Sequence, residues 1–211
     1  MRSLVDWFIR GIAALFMVLM LAAPHGAMAV PTDEDIADPA EALSFVDDLA
    51  TKAYQAITDH TLNAKERELR ARALIDHGFN VRYVSLLALG AYVNDLDDKT
   101  LARYEDKFGD FLYGKYTALV ENYGVLRFRA AGAERAGRRD VLVHLLIYRK
   151  DETVDTAWRV RMFDGEPRII DVEVDGLSLT QAERADFAAL IKAAGFKGLF
   201  DSLDAYAGKA A

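Results

Sequence analysis

The stretch from Val141 to Val174, VLVHLLIYRKDETVDTAWRVRMFDGEPRIIDVEV, decides the fold class of this chain. Within it, the second and third segments alternate apolar and polar side chains with the two-residue period of β-strands, and the first, Val141 to Tyr148, reads as a strand that is apolar on both faces. Asp164-Gly165 separates the second segment from the third and is a strong signal for a two-residue hairpin turn. The pattern therefore predicts an antiparallel sheet with a tight turn between its last two strands.

A further strand is predicted just before this stretch. Val125 to Ala130 alternates in the same way, and the segment from Gly132 to Gly137 after it has the composition of a loop. The complete sheet is therefore expected to have four antiparallel strands.

Helical periodicity dominates the chain before the sheet, where four amphipathic helices are predicted. The last three of them begin after Asn63, Asn80 and Asp97, which are residue types that cap helix N-termini. Asn63 is followed by Glu66 in a capping-box pattern, and Gly78 is expected to end that helix in the left-handed conformation.

Two more helices are predicted after the sheet, from Thr180 to Ala194 and from Phe196 to about Tyr206. Gly195 separates them, since glycine is a poor helix former. The order of helices, antiparallel sheet and helices is typical of the α+β class.

The N-terminus has the pattern of a secretory signal peptide. Residues 11–23 form an uncharged apolar run, and the tripeptide AMA at 27–29 has the small-x-small pattern that signal peptidase cleaves. The run is short for a membrane span, which needs about 20 apolar residues. We expect removal of residues 1–29 by cleavage after Ala29, which places the mature protein outside the cytoplasm. The alternative is an uncleaved N-terminal anchor.

Composition excludes several classes of function. The 211 residues include 26 Lys and Arg and 33 Asp and Glu, for a formal net charge of -7. We therefore expect no nucleic-acid partner, because an acidic chain binds phosphate backbones poorly. The lack of cysteine excludes a thiol nucleophile and a thiolate metal site. We expect a flexible lead-in over 30–39 and a single folded domain over 40–207.

Residue patterns of catalysis are missing from the sequence. The four histidines lack the paired spacing of a metal site, no serine lies in GxSxG, and no glycine-rich phosphate loop occurs. We expect no catalytic residue, no metal and no cofactor. One alternative is an enzyme with an acid or base inside the fold, for which His144 and Asp155 are the candidates. Another is a protein-interaction domain with a filled core.

Two segments carry a resemblance to a known family. They are residues 77–92, HGFNVRYVSLLALGAY, and residues 170–179, IDVEVDGLSL, which is followed by Arg184 and Phe187 in R-x-x-F spacing. In this order the set resembles the MlaC family of periplasmic phospholipid carriers, also called toluene-tolerance proteins. The likeness extends over residues 40–206.

The resemblance implies a fold and a function. The family fold is a helical layer packed on a curved antiparallel sheet, similar to the nuclear-transport-factor cone, with an apolar cavity between. It implies a periplasmic shuttle that carries phospholipid between the inner and outer membranes and supports outer-membrane lipid asymmetry. The implied partners are an inner-membrane ABC transporter complex with an MCE-domain ring and an outer-membrane lipoprotein–porin complex.

The chain departs from the family pattern in and beside these segments, including at Pro167-Arg168-Ile169, where the family has a tryptophan. Val93 stands where the family has tryptophan, and Asp175 stands where it has glutamate. A divergent branch of the family occurs with hopanoid genes, so a hopanoid is the alternative ligand to a phospholipid.

Apolar and aromatic stripes supply the candidate lipid-binding residues. We expect the stripe on the helix after Asp97 to face the sheet, although periodicity alone does not distinguish a filled core from a cavity. With the cavity that the resemblance implies, the candidates are Phe79, Tyr83, Leu86, Leu87, Tyr104, Phe108, Phe111, Leu112, Tyr116, Val143, Leu145, Ile147, Trp158, Val160, Met162, Val172 and Val174.

Overall fold

The fold is seen in a computed structural model of the chain. The structure describes residues 37–59, 61–123, 127–149 and 152–207, with the side chains there except those at 57, 64, 116–123 and 207. The predicted signal peptide lies outside the described residues.

Helices flank the sheet on both sides along the chain, as the sequence predicts for an α+β protein. Among the described residues, no helix is both long and apolar enough to span a membrane. The helices are α1, Pro39–Thr58; α2, Ala64–Gly78; α3, Val81–Leu89; α4, Asp98–Tyr123; and α5, Leu179–Ala207. The strands are β1, Arg127–Ala136; β2, Asp140–Tyr148; β3, Thr153–Phe163; β4, Glu166–Val174; and β5, Leu177–Ser178.

Side-chain caps begin the helices where the sequence predicts them. The Asn63 side chain accepts a hydrogen bond from the Glu66 amide at 3.0 Å, and the Glu66 carboxylate accepts one from the Asn63 amide at 2.8 Å. Asn80 and Asp97 each accept from the backbone amide three residues later, at 2.9 and 2.7 Å. These hydrogen bonds confirm all three predicted helix starts. Caps of this kind contribute about 1 kcal/mol each to stability.

Gly78 ends α2 in a different way from the prediction. It keeps helical backbone angles, and Phe79 in extended conformation is the C-cap, so the predicted left-handed glycine is wrong. A Cβ on Gly78 would lie 2.4 Å from Leu49 Cδ2. The glycine is therefore needed for the close approach of α2 to α1, a requirement that a local pattern does not reveal.

The sheet is an antiparallel meander in the order β1-β2-β3-β4-β5. Asp164 and Gly165 have φ of 51° and 76°, which confirms the predicted two-residue turn. Asp175 and Gly176 repeat it with φ of 51° and 78°. This second turn creates the two-residue β5, so the sheet has five strands where four were predicted.

The first strand is longer than predicted. The expected loop from Gly132 to Gly137 is wrong, because β1 continues to Ala136 and Gly132 to Ala136 pair with β2. The register shifts between Ala130 and Gly132, and Gly132 has a φ of 139°. The glycine therefore marks a β-bulge inside the strand.

Buried apolar residues form two separate clusters. The first, called the sheet core, joins α1 and Phe79 to one face of the sheet; its strand members are Val141, Val143, Leu145, Val160, Met162, Ile169 and Val172. The second, called the helix core, joins α3, α4 and α5; its members are Val84, Ala88, Leu89, Tyr104, Phe108, Phe111, Leu112, Phe187, Leu199, Phe200 and Leu203.

The aromatic stripe of α4 packs against α5, and the expectation that it faces the sheet is wrong. Residues of α1, including Ala42, Val46 and Leu49, cover the sheet face in its place. The predicted break at Gly195 is confirmed, with φ of 66° and ψ of -170° inside α5. This kink lets both halves of α5, through Phe187 and Leu203, reach the helix core.

Candidate functional site

A small cavity lies where the sheet core and the helix core meet. Residues from α3, α4, α5 and β4 converge there, and most of their side chains are apolar. The cavity is lined by Phe79, Val84, Ala88, Phe108, Phe111, Leu112, Lys115, Asp171, Val172, Leu179, Thr180 and Glu183.

The cavity has a volume of about 30 Å³, close to the space that one water molecule takes in the liquid. In this conformation of the protein, the cavity is too small to hold the acyl chain of a lipid. Its walls belong to two independently packed clusters, so it enlarges if α4 and α5 move away from β4. The junction between the two cores is therefore the candidate site for an apolar ligand.

Two opposite charges interrupt the apolar wall. Lys115 Nζ of α4 forms an ion pair with Glu183 Oε1 of α5 and lies 5.5 Å from the centroid of the Phe111 ring. The two side chains are only 16% and 11% exposed. Each charge has lost most of its water, and the ion pair compensates for part of that loss.

Burial changes the acid–base chemistry of this lysine. It lowers the pKa of Lys115 to about 8, against the opposing influence of the Asp186 carboxylate. Removing water disfavours the charged ammonium, while a nearby negative charge favours it. Lys115 therefore loses its charge at a lower pH than an exposed lysine.

Asp171 also borders the cavity, but its oxygens serve the local backbone. Oδ1 accepts hydrogen bonds from the amides of Val172 at 2.9 Å and Thr180 at 3.1 Å, and Oδ2 accepts one from the Ser178 hydroxyl at 2.5 Å. These bonds join β4 to the start of α5. Ser178 Oγ in turn accepts a hydrogen bond from the Gln181 amide at 3.0 Å, so this serine serves the start of α5.

Five of the predicted lipid-binding residues lie in the cavity wall. They are Phe79, Phe108, Phe111, Leu112 and Val172. All five are buried, and they come from both cores, so the structure brings together part of the helix stripe and part of the strand set.

The other predicted residues lie elsewhere. Tyr104 is in the helix core, where its hydroxyl donates to the Ser85 carbonyl at 2.9 Å. Tyr83 does not line the cavity. Its hydroxyl accepts a hydrogen bond from Arg161 at 2.7 Å. The side chain of Tyr116 lies outside the described residues. Val143, Leu145, Val160 and Met162 are buried in the sheet core with Trp158 packed against it, while Leu86, Leu87, Ile147 and Val174 are half-buried.

The R-x-x-F spacing in α5 has a structural explanation. Arg184 Nε donates to the Leu87 carbonyl at 2.6 Å, which ties α5 to the end of α3. Phe187, one turn later, is 2% exposed in the helix core and contacts the rings of Phe108 and Phe111. These two residues fix the helix that forms one wall of the cavity.

Sequence reasoning missed the polar part of the site. In the sequence, Lys115 and Glu183 resemble ordinary exposed charged residues, and neither was predicted to be a site residue. Lys115 follows Phe111 by four positions, and Glu183 precedes Phe187 by four, so each charge lies on an apolar helix face. A charge at helical spacing from a buried aromatic residue was the signal that could have found them.

A second groove lies between α2, α3 and α4, with a volume of about 290 Å³. Arg72 spans it, pairing with Asp110 at 2.6 Å and lying 4.2 Å from the centroid of the Tyr113 ring. Asp76, Asp106 and other charges form much of its lining. Apolar chains gain little from such a polar surface, so the smaller cavity is the candidate site.

The acid–base candidates lie away from this cavity. His144 Nε2 is 3.5 Å from Glu134 Oε1 with 36% of its side chain exposed, and Asp155 is exposed. Neither lines the cavity. Among the side chains that the structure describes, no group of three or more His, Asp or Glu could hold a metal ion.

Comparison with known proteins gives a family match and solved structures of similar fold. The family model described as MlaC protein matches residues 47–205. A phospholipid-binding protein from Ralstonia solanacearum, solved in complex with a phospholipid, aligns with a TM-score of 0.67 at 19% identity, over 80% of this chain and 98% of that one. At this identity the likeness shows the fold alone. No curated protein matches the sequence.

Proposed function

The chain belongs to the MlaC family, and we propose that it binds a phospholipid whose acyl chains lie between α4, α5 and β4. The observation that carries this proposal is the apolar cavity where the sheet core and the helix core meet. The Ralstonia solanacearum protein, which has the same fold, holds a phospholipid.

Binding would require the cavity to grow. An acyl chain does not fit in about 30 Å³, so α4 and α5 would separate from β4 as the lipid enters. Each CH₂ removed from water contributes about 0.8 kcal/mol, or roughly 12 kcal/mol for a chain of about 16 carbons. This gain offsets the packing lost between the two cores. The predicted residues outside the present cavity would contact lipid only in the enlarged state.

We further propose that the protein is a periplasmic shuttle and not an enzyme. The apolar run at 11–23 and the AMA tripeptide at 27–29 favour export with cleavage after Ala29. The shuttle would exchange lipid with an inner-membrane MCE-domain ABC transporter complex and an outer-membrane lipoprotein–porin complex. The positions of His144 and Asp155, outside the cavity, support a carrier over an enzyme.

Native mass spectrometry of protein exported from the full-length gene tests the proposal. We expect the periplasmic species to begin at Val30 and to carry mass adducts that dissociate as phospholipid. Delipidated protein should gain thermal stability when phospholipid is added, because a ligand that binds only the folded state stabilises it. Protein without lipid adducts and without this stabilisation would overturn the proposal, and adducts that dissociate as hopanoid would replace the ligand.

A further inference from the structure

The Lys115–Glu183 ion pair is not needed to bind the acyl chains of a lipid. An acyl cavity needs only apolar walls, and ion pairs buried in such walls are costly to desolvate. Yet this pair has one charge on each of the two helices, α4 and α5, that enclose the cavity. Its two side chains retain only 16% and 11% exposure, so a polar group would reach the pair when α4 and α5 separate around the lipid.

The surrounding charges limit which polar group can replace the pair. Asp186 acts on Lys115 through its negative charge, and Asp171, in the same cavity wall, already accepts three hydrogen bonds. Within the described cavity wall, Lys115 is therefore the cation, and Glu183 the carboxylate, that can exchange its partner for a group of the ligand. Together they match a ligand that carries both signs.

We propose that Lys115 and Glu183 form a subsite for a zwitterionic phospholipid headgroup, in which the lysine binds the phosphate and the glutamate binds the headgroup amine. The inference rests on the proposed phospholipid-binding function. When the lipid enters, the Lys115–Glu183 ion pair opens, and the two charges pair with the phosphate and the amine. No buried charge is left without a partner, so the exchange avoids the desolvation penalty of an isolated charge.

Other headgroups lack this balance. An anionic headgroup without an amine can take Lys115, but it leaves Glu183 with no cation in a largely apolar wall. A headgroup with hydroxyls alone cannot compensate either charge. The pair therefore selects a headgroup containing both phosphate and amine, because specificity grows when the wrong ligand leaves a buried charge unpaired.

The chain offers a matched control for a purely structural role. Lys107 of α4 and Asp204 of α5 also form an ion pair between the same helices, but neither lines the cavity. Neutralising this second pair removes a tie between α4 and α5 and leaves the proposed subsite intact.

Competition between two lipids with identical acyl chains tests the subsite. Protein expressed from the full-length gene, and exported and processed in its host, is delipidated and incubated with mixed vesicles of phosphatidylethanolamine and phosphatidylglycerol. Bound lipid is identified by native mass spectrometry. We expect the wild type to favour phosphatidylethanolamine by about tenfold, which corresponds to 1.4 kcal/mol. Glu183→Gln should abolish or invert this preference, while the Lys107→Met/Asp204→Asn control should keep it.

A second variant guards against loss of folding. The double change Lys115→Met/Glu183→Leu replaces the pair by apolar side chains, which buried pairs often tolerate without loss of stability. It should bind lipid with no headgroup preference. Equal uptake of both lipids by the wild type, or a preference that survives in Glu183→Gln or the double variant, would overturn the subsite alone. Wild type that takes up neither lipid would overturn the proposed function as well.

Discussion

The sheet core and the helix core differ in the kind of side chain that fills them. The sheet core is mainly aliphatic, and Val141, Val143, Val160 and Ile169 are fully buried in it. The helix core is built around aromatic rings, with Phe187 within 6.4 Å of three other ring centroids. The cavity wall includes only two members of the sheet core but five members of the helix core.

This difference indicates which part of the molecule can accommodate a ligand. β-Branched side chains on strands have few rotamers and interlock closely. The helix core is built from whole helices, which can slide against one another as units, and most of the apolar cavity wall belongs to it. We therefore expect the sheet core to hold the fold and the helix core to yield to the lipid.

The largest effect is expected from emptying the centre of the helix core. Phe187→Ala removes a ring that contacts Tyr104, Phe108 and Phe111, and should lower the free energy of unfolding by about 3–5 kcal/mol. Urea denaturation measures it. A loss below about 1 kcal/mol would contradict the close packing of these rings.

Substitutions that enlarge a side chain should change the stability of the protein differently in the two cores. Val143→Phe, in the filled sheet core, should overpack and cost about 1–3 kcal/mol. Leu112→Phe places its extra volume beside the cavity, so its cost should be smaller while its bound lipid per protein falls. Thermal denaturation of delipidated samples and native mass spectrometry give the two quantities. Equal destabilisation by both variants, with normal lipid retention in Leu112→Phe, would contradict the comparison.

A pH series should reveal the buried lysine of the cavity wall. The pKa of Lys115 is about 8 in the folded state and about 10.4 in an unfolded chain. Between these values the unfolded state binds more protons, so the contribution of Lys115 to stability rises with pH by up to about 1.4 kcal/mol per unit. Relative to Lys115→Met, whose side chain does not titrate, the wild type should gain stability from about pH 8 to about pH 10.

Chemical denaturation of both proteins across this range measures that difference. The Lys115→Met variant retains Glu183 and Asp186, so the two proteins differ only at the titrating lysine. A constant difference between wild type and variant would mean that Lys115 titrates as it does in water.

The smallest effect is expected at the other α4–α5 ion pair. Lys107→Met/Asp204→Asn removes a pair whose side chains are 25% and 51% exposed, and surface pairs contribute about 0–1 kcal/mol. Stability should change by no more than that, and the stability difference should shrink further in high salt. A loss of several kcal/mol in urea denaturation would show that this pair holds the helices together.

Local features of this protein follow from the sequence by itself. The caps at Asn63, Asn80 and Asp97 and the Asp164-Gly165 turn were predicted because each depends on residues within a few positions of one another. The class of fold followed from the change of period from helix to strand. Gly78 and Gly132 were misassigned, because a glycine signals freedom of the backbone without saying whether a cap, a close approach or a bulge uses it.

Only the tertiary structure decides what each apolar face covers. A helical stripe shows that Phe108 and Phe111 are buried, but a hydrophobic surface has no direction and accepts any apolar partner of suitable shape. The chain here covers that stripe with α5 and covers the sheet with α1. The same packing brings Lys115 and Glu183 together from distant parts of the sequence, and a charge pair in an apolar wall exists only once both helices are in place.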